Sequence, residues 1–166
     1  MSVEAINSTL MMLERMHKSL LELAFKKTEI IKAGDIEALD QLLKDEQAHV
    51  AAIDKLEQQR QKQVTDYLEA KGLASTDKTT VADVIEAAEQ QADKATLSVV
   101  RDRLLQIIND LRTQNDLNQK LVFQSLQIVN LTLDAVRPRT EQMNYSSNEV
   151  LGTNNIAKKS YFDSQA

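Results

Sequence analysis

The stretch Lys94–Val136, KATLSVVRDRLLQIINDLRTQNDLNQKLVFQSLQIVNLTLDAV, contains neither glycine nor proline. Leu97, Val100, Leu104, Ile108, Leu111, Val122, Leu126, Val129, Leu133 and Val136 recur in it at helical steps. At about 100° per residue they fall on one stripe, broken only by Asn115 and Asn118. Pro138 marks the stop, because proline lacks the amide proton that a continuing helix needs. The stretch reads as one long helix whose stripe is a core seam. Polar residues inside a seam cost stability and set register or pairing, so the two asparagines are read that way rather than as ligand-binding groups.

A second apolar set, Leu117, Leu121, Ile128 and Leu131, appears in the C-terminal half of this helix, on a face turned roughly 100° from the first. The upstream half has little to match it. A helix apolar over roughly 200° of its circumference needs partners on two sides. Either the bundle wraps around it, or two copies meet there, or the face is open to another protein.

Upstream, Val3, Ile6, Leu10, Leu13, Leu20 and Ala24 follow the same spacing and predict a first helix that ends at KAGD. Gly34 suits the left-handed residue after a helix and Asp35 an N-cap, so KAGDIEAL predicts a tight joint between antiparallel helices. The second helix should carry Ile36, Leu39, Leu43, Val50, Ile53, Val64 and Leu68 inward and stop near Gly72. After the loop LASTDKTT, Thr80 and Asp83 form a capping pair for a third helix. The expectation is an all-α antiparallel bundle of three to four helices, a domain over residues 1–136 with helices at about 2–32, 35–71, 80–93 and 94–136. Residues 137–166 form a tail of low apolar content, expected to be disordered when free.

The totals agree with that reading. A chain of 166 residues with three glycines and one proline fits a single helical domain. Without cysteine there are no disulfides or thiolate metal sites, and the start MSVEAINSTLMMLERMHKSL lacks the order of a signal peptide, which predicts a cytoplasmic protein. The uncharged run Leu121–Leu133 is too short to span a membrane. Residues 1–136 carry 16 basic and 22 acidic side chains and the remainder four and three, with none of the clustered Lys and Arg of a nucleic-acid footprint.

Two segments could carry metal chemistry. Glu14 with His17, and Glu46 with His49, repeat a Glu-x-x-His spacing that is half of a di-iron carboxylate pattern. That pattern also needs an inward Glu from each of two further helices, and the last helix has no Glu. Helical histidines bonded beside the core are the simpler reading. No phosphate loop, nucleophile elbow or dinucleotide turn is present, so no catalytic residue, metal ligand or cofactor is assigned.

The segment Leu20–Lys62, LLELAFKKTEIIKAGDIEALDQLLKDEQAHVAAIDKLEQQRQK, resembles the N-terminal helical hairpin of the FlgN family of flagellar secretion chaperones. The likeness lies in a Leu-rich helix ending in Lys-Thr-Glu, a GD-x-x-AL joint, and an acidic, Gln-rich second helix. It continues through LLQIINDLRTQNDLNQKLVFQSLQIV and reaches the terminal FDSQA, similar to the FD-x-K-A ending of some members. The resemblance implies a cytoplasmic chaperone without ATPase activity for the hook-associated proteins FlgK and FlgL on their way to the flagellar type III export apparatus. It implies that clients are held by the far half of the last helix, here Leu117, Leu121, Phe123, Ile128 and Leu131. A homo-oligomeric coiled-coil adaptor, with the same face buried in a homodimer, is the competing expectation.

Half of the six aromatic residues, Tyr145, Tyr161 and Phe162, fall in the tail. They could dock on the export gate or ATPase complex, fold back over the client-binding face as a plug, or do nothing.

Overall fold

The structure, a computed structural model, describes residues 2–73 and 79–137. Four helices make up the fold: α1 (Val3–Ala33), α2 (Ile36–Ala70), α3 (Val81–Ala87) and α4 (Gln91–Val136). The all-α expectation holds. The ends are set by the residues predicted to set them. Gly34 takes φ 69, a left-handed conformation that costs a residue with a Cβ about 1–2 kcal/mol. Its neighbour Asp35 caps α2, its Oδ1 accepting the Ala38 amide at 3.0 Å. At α3 the Thr80 amide donates to Asp83 Oδ2 at 2.6 Å, within a capping box.

Side-chain pairs fix the directions. Lys27 meets Glu46 at 2.8 Å and Ser19 meets His49 at 2.8 Å, so α1 and α2 are antiparallel. Arg103 meets Glu14 at 3.1 Å and Gln114 meets Thr28 at 2.6 Å, so α4 runs parallel to α1. The path is up, down, up, with α1 packed against both long partners. α2 and α4 nowhere approach within 8 Å of each other, Cα to Cα.

The core sits at the α3 end. Ile6, Leu10 and Leu13 of α1, Val64, Tyr67 and Leu68 of α2, Val81 and Val84 of α3, and Leu97, Val100 and Leu104 of α4 form one buried cluster. Burial of each such aliphatic chain is worth about 1.5–3 kcal/mol. Toward the α1–α2 joint only Leu20, Ala24 and Leu111 form a second, thin cluster. The bundle is closed at one end and open at the other.

Three expectations are corrected. The third helix is not continuous over 80–93: it stops at Ala87, the chain is extended at buried Ala88, and α4 starts at Gln91. α3 touches both α2 and α4 and closes the end of the core, so the chain must bend there to run back along α1. The bend is tied to the end of α2 by an ion pair between Lys71 and Glu89. Secondly, Ile36, Leu43 and Val50 do not point inward but are exposed, while Val64 and Leu68 are buried as expected. Thirdly, the seam of α4 stops being core at Asn118, and Val122, Leu126, Val129, Leu133 and Val136 are all exposed. A period reports that a face is apolar; it does not report whether a neighbour is long enough to reach it.

Candidate functional site

Helix lengths create the exposed segment. At 1.5 Å per residue α4 is about 69 Å long and α1 about 46 Å. Thr28 lies opposite Gln114 and Asn118, and α1 ends at Ala33, so that end is level with the neighbourhood of Phe123. The last three to four turns of α4, roughly 20 Å, project past the α1–α2 joint. They carry Leu126, Ile128, Val129, Leu131, Leu133 and Val136, and between Lys120 and Asp134 there is no charged residue.

Asn118 closes the packed part. It is buried, its Oδ1 lies 2.6 Å from the Thr28 hydroxyl, and its Nδ2 donates to the Ala24 carbonyl at 2.8 Å. The Thr28 hydroxyl also accepts from Gln114 Nε2 at 2.6 Å. A polar cluster satisfied on both helices fits only one register of α4 on α1, the role expected of a seam asparagine. Asn115 does not share it: it is exposed and lines a groove.

That groove, of about 500 Å³, lies over α1 between α2 and α4. Leu20 and Lys27 of α1 form its floor, Glu46 and Val50 one wall, and Val122, Phe123 and Leu126 the other. The Lys27–Glu46 pair spans it at 2.8 Å with both side chains mostly shielded.

The five residues inferred for client binding divide between two flanks of α4. Leu117, Ile128 and Leu131 are exposed, Leu131 at 70 %, and Leu121 is half-buried. By helical angle these four lie on the flank away from the groove. Phe123, exposed at 62 %, stands about 200° around the helix from Leu121 and lines the groove instead. The structure therefore brings four of the five together and separates the fifth. What sequence reading missed is the exposure of Ile36, Leu43 and Val50, seven residues apart on α2, of which Val50 lines the groove. The signal was present in that strict seven-residue repeat.

The Glu-x-x-His segments are occupied otherwise. Glu14 pairs with Arg103, and His17 Nδ1 donates to the Leu13 carbonyl at 2.8 Å. His49 Nδ1 donates to the Asp45 carbonyl, which leaves Nε2 to accept from the Ser19 hydroxyl in the neutral ring. Among the described residues no three His, Asp or Glu side chains are grouped to hold a metal ion, and no helix is long and apolar enough to cross a membrane. Tyr145, Tyr161 and Phe162 lie outside the described residues.

The family model for FlgN protein matches residues 1–151. The uncharacterized protein YvyG of Bacillus subtilis (strain 168) is 30 % identical over 166 residues, covering all of both chains. No solved structure matches. The match covers every helix described above and stops short of SYFDSQA, and on it the chain belongs to the FlgN family, a family of flagellar export chaperones and not of enzymes.

Proposed function

We propose that this protein is a cytoplasmic chaperone for hook-associated proteins of the FlgK and FlgL type, holding their assembly-prone terminal helices on the far half of α4 until they reach the type III export apparatus. The observation that carries this reading is the apolar end of α4, which leaves the bundle after Asn118 with Ile128, Leu131 and Val136 more than half exposed. Large apolar patches of that kind mark interaction surfaces. Leu117, Leu121, Ile128 and Leu131 would receive the client, with Phe123 at the edge. Covering the client's helix blocks its polymerisation.

Four such side chains are worth about 1.5–3 kcal/mol each when fully buried. Association and ordering take back a large share of that, several kcal/mol or more. What remains is binding no tighter than about the micromolar range, about 8 kcal/mol, and it suits a carrier that releases its cargo without an energy source of its own. A client terminus that is unfolded when free folds into the apolar face as it binds.

The test is to mix the purified chain with a purified hook-associated protein and follow both complex formation and client polymerisation. Formation of a complex with suppressed polymerisation supports the reading. A chain that leaves polymerisation unchanged contradicts it. The same exposed face supports a second reading, a homodimeric coiled-coil adaptor, for which sedimentation would show a tight dimer that loses its second copy on Leu121→Asp/Leu131→Asp substitution.

A further inference from the structure

We infer that two copies of the chain pair through the flank of α4 turned away from the groove, antiparallel and in a register set by Lys120 and Asp134. Such a pairing needs no client and does not rest on the chaperone reading. The flank carries Leu117, Ile128 and Leu131, all exposed, and the half-buried Leu121. With Gln124 and Ala135 in their places, the steps from Leu117 onward alternate four and three residues. That is the spacing of a coiled-coil seam, against which a second helix packs at a shallow angle. The bundle leaves this seam open: α1 lies against the neighbouring face of α4, at Asn118, and ends at Ala33, level with Phe123.

α1 widens the flank. Glu14 of α1 meets Arg103 of α4, and Arg103 precedes Leu117 by two heptads, so both stand on this side of α4. Phe25 lies about three turns on from Glu14, on the same side of α1. Its neighbour Ala24 accepts from Asn118, which places Phe25 near the level of Leu117. The ring is 53 % exposed. An exposed phenyl group thus continues the apolar line from α4 onto α1.

Charge selects a second copy as the occupant. The uncharged run Leu121–Leu133 is bracketed by Lys120 and Asp134, seven residues either side of Gln127. Each stands just before a seam position, Leu121 and Ala135, where coiled-coil helices exchange ion pairs that set their orientation. A two-fold axis at Gln127 brings Lys120 of each copy level with Asp134 of the other, so one sequence supplies both halves of the match. A parallel pairing brings no such opposite charges level. Among the described residues Lys120 has no ion-pair partner, and Asp134 has only Arg137, at 3.6 Å with both side chains exposed. Because α1 stops level with Phe123, the projecting ends of α4 overlap while the two bundles lie at opposite ends of the helix pair. The second copy covers the flank proposed for the client, so the two exclude each other.

The experiment is sedimentation of the full chain from about 1 to about 100 µM, which brackets association in the micromolar range. A species of twice the 18.7 kDa chain mass is expected at the upper end. Lys120→Glu and Asp134→Lys each set like charges level and should weaken the dimer at least tenfold at low salt. The double variant Lys120→Glu/Asp134→Lys should restore it, because both pairs are merely reversed. Ile128→Asp/Leu131→Asp should abolish it. All four positions are exposed, and an unchanged helical circular-dichroism melt confirms an intact fold.

A chain that stays monomeric throughout overturns the inference. A dimer that the double charge variant fails to restore overturns the register, and one that Leu126→Asp/Leu133→Asp dissociates while Ile128→Asp/Leu131→Asp does not overturns the flank. A monomer that pairs only once residues 138–166 are removed assigns the flank to the chain's own C-terminal segment, and overturns the inference too. Adding the terminal helical segment of a hook-associated protein separates the pairing from the chaperone reading. Replacement of the dimer by a one-to-one complex supports the pairing and the client's place on this flank. A segment that binds with the dimer intact supports the pairing and contradicts that place.

Discussion

Asn118 of α4 meets Thr28 of α1 in a buried hydrogen bond of 2.6 Å, and beyond Asn118 no residue of α4 is buried. One polar contact therefore separates the part of the longest helix that holds the fold together from the part that faces solvent. Ala24 and Gln114 complete the contact, so no polar group in it lacks a partner.

Removing one side of this contact should cost more than removing both. Thr28→Val strands a buried amide oxygen and is expected to destabilise the protein by about 1–3 kcal/mol. The double substitution Thr28→Val/Asn118→Leu should recover part of that loss, because it removes the stranded oxygen and leaves only the half-buried Gln114 amide to turn to water. Urea unfolding of the four proteins in the cycle measures it. Recovery of stability without recovery of a single register, seen as broadened amide resonances from α1 and α4, is the expected signature of a positioning role.

The joint between α2 and α4 gives a pH dependence. Its hydrogen bond to Glu89 raises the Lys71 ammonium above the ordinary lysine range, and the same bond lowers the Glu89 carboxyl below the ordinary carboxylate range. The Glu89 contribution is complete above the usual carboxylate range and is lost as pH falls through its depressed value. That of Lys71 is complete below the usual lysine range and is lost as pH rises through its raised value. Melting temperature compared between wild type and Glu89→Gln should show a small gap that is constant around neutral pH and closes in acid and in strong alkali. Both groups are exposed, so high salt should close it as well.

The C-terminal segment is separable. Deleting residues 140–166, which removes Tyr145, Tyr161 and Phe162, should leave affinity for a hook-associated segment unchanged and reduce its secretion from cells, if those rings dock on the export gate or ATPase complex. Client affinity that rises on deletion, with secretion intact, would identify the segment as a plug over the binding face. Anisotropy with purified protein and a secretion assay read the two effects separately.

Much of the fold was legible because its signals are local. Gly34 and Asp35 act within a few residues of themselves, Thr80 and Asp83 likewise, and Ile6, Leu10 and Leu13 need only a neighbour to be core. Leu43, Val50, Val122 and Leu126 were read as inward because their period matches that of buried residues. Their exposure follows from how far α1 extends beside α4 and from α2 and α4 packing on α1 and not on each other, which is a property of the assembled helices and of no single stretch. The exposed faces of α4 were legible only in part for the same reason. Leu117, Leu121, Ile128 and Leu131 stand out as an extra apolar set, whereas Phe123 could be assigned to its flank only once the groove beside α2 was in view.

The most direct measurement of the central claim is the affinity of a hook-associated protein's terminal helical segment for wild-type chain, for Ile128→Asp/Leu131→Asp, and for Leu104→Ala. Ile128 and Leu131 touch no core, so the double variant should keep the wild-type melting temperature and lose at least tenfold in affinity, about 1.4 kcal/mol. Leu104 is buried in the main cluster, so its truncation should cost about 2–5 kcal/mol of stability and leave affinity unchanged in the folded range. A double variant that binds the client as tightly as wild type would contradict the assignment of the α4 end as the binding surface.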